Sequence, residues 1–333
     1  MSGRTANGVG PRRLLAWSPH RRTYRRLGFP LAGALFAAAA VALAGCGDPS
    51  NAQPVQTRPS PTGRLATGRP AHVAVIVMEN EEYGAIIGSR SAPYINSLAR
   101  QYALATGMYA TTHPSLPNYL ALTGGSTFGM ASDCTDCSVG ATSIVDQLDR
   151  AHLSWRAYME DLPRQCFTGA SAGDYAKRHD PFTYYTRIAT NRRRCANIVP
   201  LTELSADERS GTLPDFLWIT PNLCHDMHDC SVATGDRFLA GLVPPLLGRL
   251  GPGGLLFLTW DEGSTDASCC RLASGGHIAA IVAGPGARPG ARMGLPTDQY
   301  SVLQTIEDVL GLGRLQGAAC ACTPSLGSLL ARR

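Results

Sequence analysis

Residues 72–78 read HVAVIVM and run without a break into Glu79-Asn80. Six apolar residues in a row, four of them Val or Ile, lack the alternation of a half-exposed strand. They fit a strand covered on both faces, as in a parallel sheet. Three more runs have the same character: Asp215–Thr220 (DFLWIT), Gly254–Trp260 (GLLFLTW) and His277–Ala283 (HIAAIVA). Between them, Tyr94–Ala103, Thr142–Ala151, Gly235–Leu250 and Tyr300–Leu310 carry apolar residues three or four apart, the spacing of amphipathic helices. This interleaving predicts an α/β sandwich around a largely parallel sheet flanked by helices. No internal repeat or second linker breaks it, so residues 71–333 read as one domain.

Ligands of such sheets bind beyond the carboxyl ends of the strands. Those positions hold Glu79-Asn80 after the first run, Pro221-Asn222 and His225-Asp226-Met227-His228-Asp229 after the second, and Asp261-Glu262 after the third. Glu79 alone reads as a surface acid at a strand end. Glu79, Asn80, Asp261 and Glu262 together form an oxygen-rich set suited to a divalent cation, because like charges held together need a cation or a proton. In Thr111–Leu122 (TTHPSLPNYLAL) an apolar run from Leu116 predicts a short helix with Pro117 in its first turn and Ser115 near its N-cap. Ser115 is then either a simple cap or a nucleophile whose substrate phosphate meets the helix end and a metal. The segment itself leaves both open. The segment Cys224–Cys230 (CHDMHDC) concentrates two His and two Asp, and gives at least one of them a metal or general-acid role. His277, after Gly275-Gly276, is either a structural histidine or a ligand. Trp155–Asp161 reads as a strand or rim element, and Arg192-Arg193-Arg194 as a solvated turn.

The 333 residues are 44% hydrophobic and 17% charged, which excludes wholesale disorder. The formal charge of +5 is misleading, since seven Arg and no acid precede Cys46. Without them 23 bases face 25 acids, so no polyanion-binding surface and no nucleic-acid partner are implied. Residues 1–26 are Arg-rich, Leu27–Ala44 are apolar, and the stretch closes on LAGC at Cys46. A basic start, an apolar middle and small residues before a cysteine mark a lipoprotein-type export signal over 1–45, with Cys46 the lipidated residue. The alternative is an uncleaved span, since 18 apolar residues just cross a bilayer. Residues 46–70, rich in Pro, Ser and Thr, read as a flexible tether to the outer face of the membrane. Ten further cysteines, an even number in an exported domain, point to disulfides, with Cys166–Cys195 and Cys224–Cys230 the first pairs expected. A zinc site at Cys134-x-x-Cys137 would need a second close ligand pair.

The ordered segments VMEN, APYINSLA, THPSLPNYLAL, SWRAYMEDLP, PNLCHDMHDCSVATGDRFL, LTWDE and YSVLQTIEDVLGL span residues 73–312. Together they resemble the bacterial phosphoesterase family of acid phosphatases and phospholipases C, within the alkaline phosphatase superfamily. The resemblance is strongest to secreted acid phosphatases that act on phosphoinositides. It implies an alkaline-phosphatase-like sandwich and metal-dependent phosphoryl transfer through a phosphoserine at Ser115. It makes Glu79, Asn80, Asp261 and Glu262, with Asp226, the metal ligands, and His228 a catalytic acid. Asn118, His225 and His277 become substrate contacts. Relatives often carry a His just before Tyr-Ser-Val-Leu, where this chain has Gln299, so the resemblance implies either that His277 takes that role or that the role is absent here. The implied cofactor is a divalent ion: calcium, magnesium or zinc. The function implied is an acid phosphatase acting on small-molecule or lipid phosphomonoesters, held to the membrane by a lipid anchor. A phospholipase C-type diesterase and a non-catalytic headgroup-binding lipoprotein are the alternatives.

Overall fold

A computed structural model of the chain describes residues 72–270 and 273–332. The expected leader over 1–45 with Cys46, and the tether over 46–70, lie outside the described residues. Eight strands form one sheet: β1 (Val73–Met78), β2 (Ala103–Tyr109), β3 (Trp155–Met159), β6 (Ile198–Pro200), β7 (Phe216–Thr220), β8 (Leu255–Trp260), β9 (His277–Ala283) and β10 (Arg292–Met293). The remaining strands, β4 (Ser171–Ala172) and β5 (Tyr175–Ala176), make a small separate hairpin. The sheet order is β10-β2-β9-β8-β1-β7-β3-β6. Every pairing is parallel except the two made by β9, which runs against β2 and β8. The four strands expected from continuous apolar runs are all present. All residues of β1, β7 and β8 are buried, as a sheet covered on both faces requires.

Helices cover the two faces: α1 (Tyr83–Ile86), α2 (Pro93–Gln101), α3 (Ser115–Gly124), α4 (Ile144–Arg150), α5 (Thr186–Ala189), α6 (Arg192–Cys195), α7 (Thr202–Ser210), α8 (Val232–Arg249) and α9 (Gln299–Leu310). The four helices expected from apolar spacing are α2, α4, α8 and α9. Ser143 and Asp146 cap α4 reciprocally, and Asp298 and Ser301 do the same for α9. β2 was not legible because it reads ALATGMY, short of the branched side chains that mark strands. Its small residues are needed there. A Cβ on Gly107 would lie 2.9 Å from the Gly294 carbonyl oxygen.

The carboxyl ends of β1, β7 and β8 lie side by side, and the backbone laces them together. Glu79 N–H donates to the Asp226 carbonyl at 2.9 Å, and Asp261 N–H to the Met78 carbonyl at 2.9 Å. Five disulfides join Cys134–Cys137, Cys166–Cys195, Cys224–Cys230, Cys269–Cys270 and Cys320–Cys322. The two pairs expected first are among them, and Cys134-x-x-Cys137 is a disulfide. Among the described residues no helix is long and apolar enough to cross a membrane.

Candidate active site

The segments that follow the strand ends bring their carboxylates together in a buried cluster. Glu79, Asp226 and Asp261 are fully buried, and Glu262 nearly so. Glu79 follows β1, Asp261-Glu262 follow β8, and Asp226 sits in the loop closed by Cys224–Cys230 after β7. Into the same cluster projects α3, which is buried along its whole length and begins at Ser115. Ser115 is its first helical residue and Pro114 occupies the N-cap position, so Ser115 is not the cap. Its hydroxyl instead donates to Glu79 Oε2 at 3.1 Å. Tyr119, one turn on, donates its hydroxyl to Glu79 Oε1.

The residue that sequence reasoning passed over is His179. It lies on a single 3-10 turn, Lys177–His179, and is 2% exposed. Its Nε2 stands 3.3 Å from Glu79 Oε1 and its Nδ1 3.2 Å from Asp226 Oδ2. Glu79, His179 and Asp226 each offer a ligand atom within 4.8 Å of the other two. The only sequence signal was the dipeptide His179-Asp180 after two bases, in a stretch without periodicity.

The electrostatics of this cluster are costly as it stands. Burial, then the charges of Asp261 and Asp226, hold the Glu79 carboxyl well above its ordinary range. Burial raises Asp261 and pushes Asp226 up to about 7. Glu262 is pushed up to about 8 by burial and then by the charge of Asp261. Burial, helped by the charge of Arg178, pushes His179 down to about 3, so it is a neutral lone-pair donor. Asp226 Oδ2, Asp261 Oδ2 and His179 Nε2 are enclosed without a hydrogen-bond partner of their own. Acids kept together in a low dielectric demand protons or a cation. Three carboxylates, a neutral imidazole and unsatisfied oxygens fit a divalent ion.

The other expected residues divide between those at the cluster and those turned from it. Asn80 has a left-handed backbone (φ 56°), and its N–H donates to Asp261 Oδ1 at 3.2 Å. Glu262 Oε2 meets His113 Nδ1 at 2.7 Å. His228 lies at the cluster's rim: its ring centre is 5.7 Å from that of His179, its Nε2 meets Arg178 at 3.0 Å and its Nδ1 meets Asp229 at 2.6 Å. Asn118 is fully buried and spends its amide on the Thr112 backbone and the Pro114 carbonyl, which shapes the turn before Ser115. His225 turns outward, bonded to Glu160 at 2.9 Å and stacked on Phe238. His277 is sandwiched between Tyr83 and Tyr109, with Nε2 2.9 Å from the Thr106 carbonyl. Gln299 is fully buried, accepts from the Thr111 N–H and hydroxyl at 2.6 and 2.7 Å, and donates to the Asp261 carbonyl at 2.6 Å.

Comparison with known proteins agrees with this arrangement. The model of the phosphoesterase family matches residues 89–313. The chain is 35% identical over 246 residues to the phosphatidylinositol-3-phosphatase of Mycobacterium tuberculosis, covering 73% of this chain and 77% of that protein. It is 32% identical over 232 residues to an acid phosphatase of Aspergillus fumigatus, covering 66% of this chain but only 50% of the fungal protein. In fold it resembles an alkaline phosphatase superfamily protein of Vibrio parahaemolyticus, with a TM-score of 0.54 at 12% identity over 77% of this chain and 71% of that one. It likewise resembles the lipoteichoic acid synthase LtaP of Listeria monocytogenes, with a TM-score of 0.53 at 10% identity over 75% and 74% of the two chains. With the sheet, the flanking helices and the carboxylate cluster already in place, the matches converge on one conclusion: this chain belongs to the phosphoesterase family and is a hydrolase of phosphoric esters.

Proposed function

We propose that the chain is a metal-dependent acid phosphatase that cleaves phosphomonoesters, phosphoinositides among them, through a phosphoserine at Ser115. The observation that carries this reading is the hydroxyl of Ser115, buried at the first turn of α3 and donating to Glu79 inside the carboxylate–histidine cluster. Glu79, His179, Asp226 and Asp261 are the residues that would hold a divalent ion, with Asn80 and Glu262 beside them. Such an ion supplies Lewis acidity toward a phosphoryl oxygen and lowers the pKa of a nearby hydroxyl. The imidazole favours zinc, whereas the carboxylates alone would suit magnesium or calcium.

Ser115 Oγ forms the bond to phosphorus as the bond to the leaving alkoxide breaks, and the serine proton passes to Glu79 Oε2. His228, at the rim, is the general acid for the departing alkoxide, a role that requires Arg178 to leave its Nε2 when substrate binds. Water then attacks phosphorus and gives a proton to the neutral His228, while the P–Oγ bond breaks and Ser115 Oγ takes back its proton from Glu79 Oε2. Tyr119 and the backbone bond from Glu79 to Asp226 keep the Glu79 carboxylate aimed at Ser115. The name of the mycobacterial relative supports a lipid phosphate as substrate. The Arg-rich leader and Cys46 support export as a lipoprotein. Radiolabelled fatty acid that enters the chain but not Cys46→Ala would bear on that anchor.

The deciding assay compares p-nitrophenyl phosphate with bis-p-nitrophenyl phosphate, using the full chain with EDTA or added divalent metal, beside Ser115→Ala. The expected result is metal-dependent turnover of the monoester that falls at least about 1,000-fold in the variant. Preference for the diester would favour a phospholipase C-type enzyme. Silence on both from a folded, metal-supplemented protein would favour a binding lipoprotein.

A further inference from the structure

The peptide that follows Ser115 is already occupied by an anion, and that anion belongs to the chain. Leu116 N–H, an early donor of α3 with no helical acceptor available to it, donates to Asp133 Oδ1 at 2.9 Å. The other oxygen of the same carboxylate, Oδ2, faces Arg178 Nε at 3.7 Å. Arg178 lies next to His179 and also reaches His228 Nε2 at 3.0 Å. One carboxylate thus bridges the residue after the nucleophile and a guanidinium whose field is felt at both His179 and Asp226.

The placement of Asp133 is enforced. Its loop is closed from the very next residue by Cys134–Cys137, and Lys177 Nζ donates to the Thr135 carbonyl at 2.6 Å. The turn that carries Lys177, Arg178 and His179 therefore ties down both the loop and the cluster. Yet the region already holds Glu79, Asp226, Asp261 and Glu262, and a fifth carboxylate adds repulsion. Its position makes sense if it stands where another anion belongs. A backbone N–H and a guanidinium converging on one point are the donors that phosphoryl oxygens select.

We propose that the Leu116 N–H and Arg178 form the seat for non-bridging oxygens of the phosphoryl group, and that Asp133 holds this seat between turnovers as a resident anion. The inference rests on Ser115 being the nucleophile. A phosphomonoester dianion brings two charges to displace one carboxylate, whereas a diester brings one. The exchange therefore favours monoesters and resists neutral or singly charged esters. Arg178 is a substrate-binding residue in this scheme, and Asp133 a positioning residue that competes with substrate.

The test titrates inorganic phosphate into the full, metal-supplemented chain by calorimetry, for wild type, Asp133→Ala, Asp133→Asn, Arg178→Gln and Arg178→Lys. Kinetics on p-nitrophenyl phosphate and its methyl diester run in parallel, and melting curves identify folded variants. Removing Asp133 should tighten phosphate about tenfold and lower KM for the monoester, with the isosteric Asn variant showing a smaller gain. Arg178→Gln should weaken phosphate about tenfold or more and lower kcat/KM more for monoester than for diester, with Lys restoring part of it. Unchanged or weaker phosphate binding in both folded Asp133 variants would overturn the proposal, as would an unaltered Arg178→Gln. Wild type that binds phosphate with this variant pattern but turns over neither ester would remove the catalytic reading and leave the seat standing.

Discussion

At Glu79 one carboxylate is approached by the hydroxyls of Ser115 and Tyr119 and by the Nε2 edge of His179. Two of these contacts come from α3 and the third from a separate 3-10 turn some sixty residues on, so their convergence on Glu79 cannot be seen along the chain. Glu79 and Asp261 were legible because a buried strand that runs straight into an acid is anomalous, and Asp226 because it falls in the His-Asp cluster between Cys224 and Cys230. His179 was not, since a histidine on an isolated turn has no period to betray it. Removing His179 tests its place directly. His179→Ala should lower metal retained after dialysis at least about tenfold, measured by elemental analysis, while far-ultraviolet dichroism stays unchanged. Gln299 offers a second residue-scale prediction. It ties Thr111, upstream of Ser115, to the carbonyl of Asp261, so Gln299→Leu leaves three buried polar groups unpaired. The loss should be about 2–3 kcal/mol of stability in urea melts, accompanied by a fall in kcat.

Elements were legible where pattern and burial agreed. β1, β7, β8 and β9 are apolar runs, and α2 and α8 keep a polar side, whereas α9 shows helical spacing although its polar residues are also buried. α3 was expected only as a short helix from Leu116, and it is buried all round because it threads between cluster and core. β2 and β6 escaped notice, one built of small residues and the other only three residues long. The Cys224–Cys230 loop shows what an element-scale constraint does. It holds Asp226 inward while His225 is bonded to Glu160 and Asp229 stays at the surface. Replacing both cysteines with serine should cost about 2 kcal/mol of global stability by chain entropy. Metal affinity should fall further than that cost alone implies, which equilibrium dialysis would register as a weaker Kd. α9 carries a separate prediction. Glu307 accepts from Gln147 and from the Leu315 N–H through Oε1, while Oε2 is enclosed without a partner. Burial pushes its carboxyl up to about 7. Glu307→Gln should therefore flatten the decline of Tm as pH rises from about 4.5 toward 7, by roughly 2–4 °C.

For the molecule as a whole, pH stability follows from acids whose folded pKa lies above the unfolded value. Burial pushes Asp226 and Asp180 up to about 7 and Glu262 up to about 8. Such groups stabilise the fold in full below their unfolded pKa, and that contribution disappears as pH rises through 7 to 8. His179 works in the opposite sense, because its depressed pKa penalises the fold only as pH drops below about 6.5. Between pH 6.5 and 8 the acids act alone. Metal-free protein, prepared with EDTA, should thus lose Tm across that interval in scanning fluorimetry. Added zinc or magnesium should make the decline shallower, since a bound cation removes the share of Asp226 and Glu262 but not that of Asp180 or Glu307.

The three strand ends that supply the cluster lie far apart along the chain, at residues 79, 226 and 261, although they are neighbours in the sheet. A metal held by them would have no complete partner set until β1, β7 and β8 have paired. It would act as a late clasp, contributing little to an early transition state and fully only in the finished structure. Time, more than equilibrium, is where its influence would register. Metal should leave the refolding rate nearly untouched and slow unfolding by orders of magnitude, so that protein deprived of metal would fail first by coming apart faster.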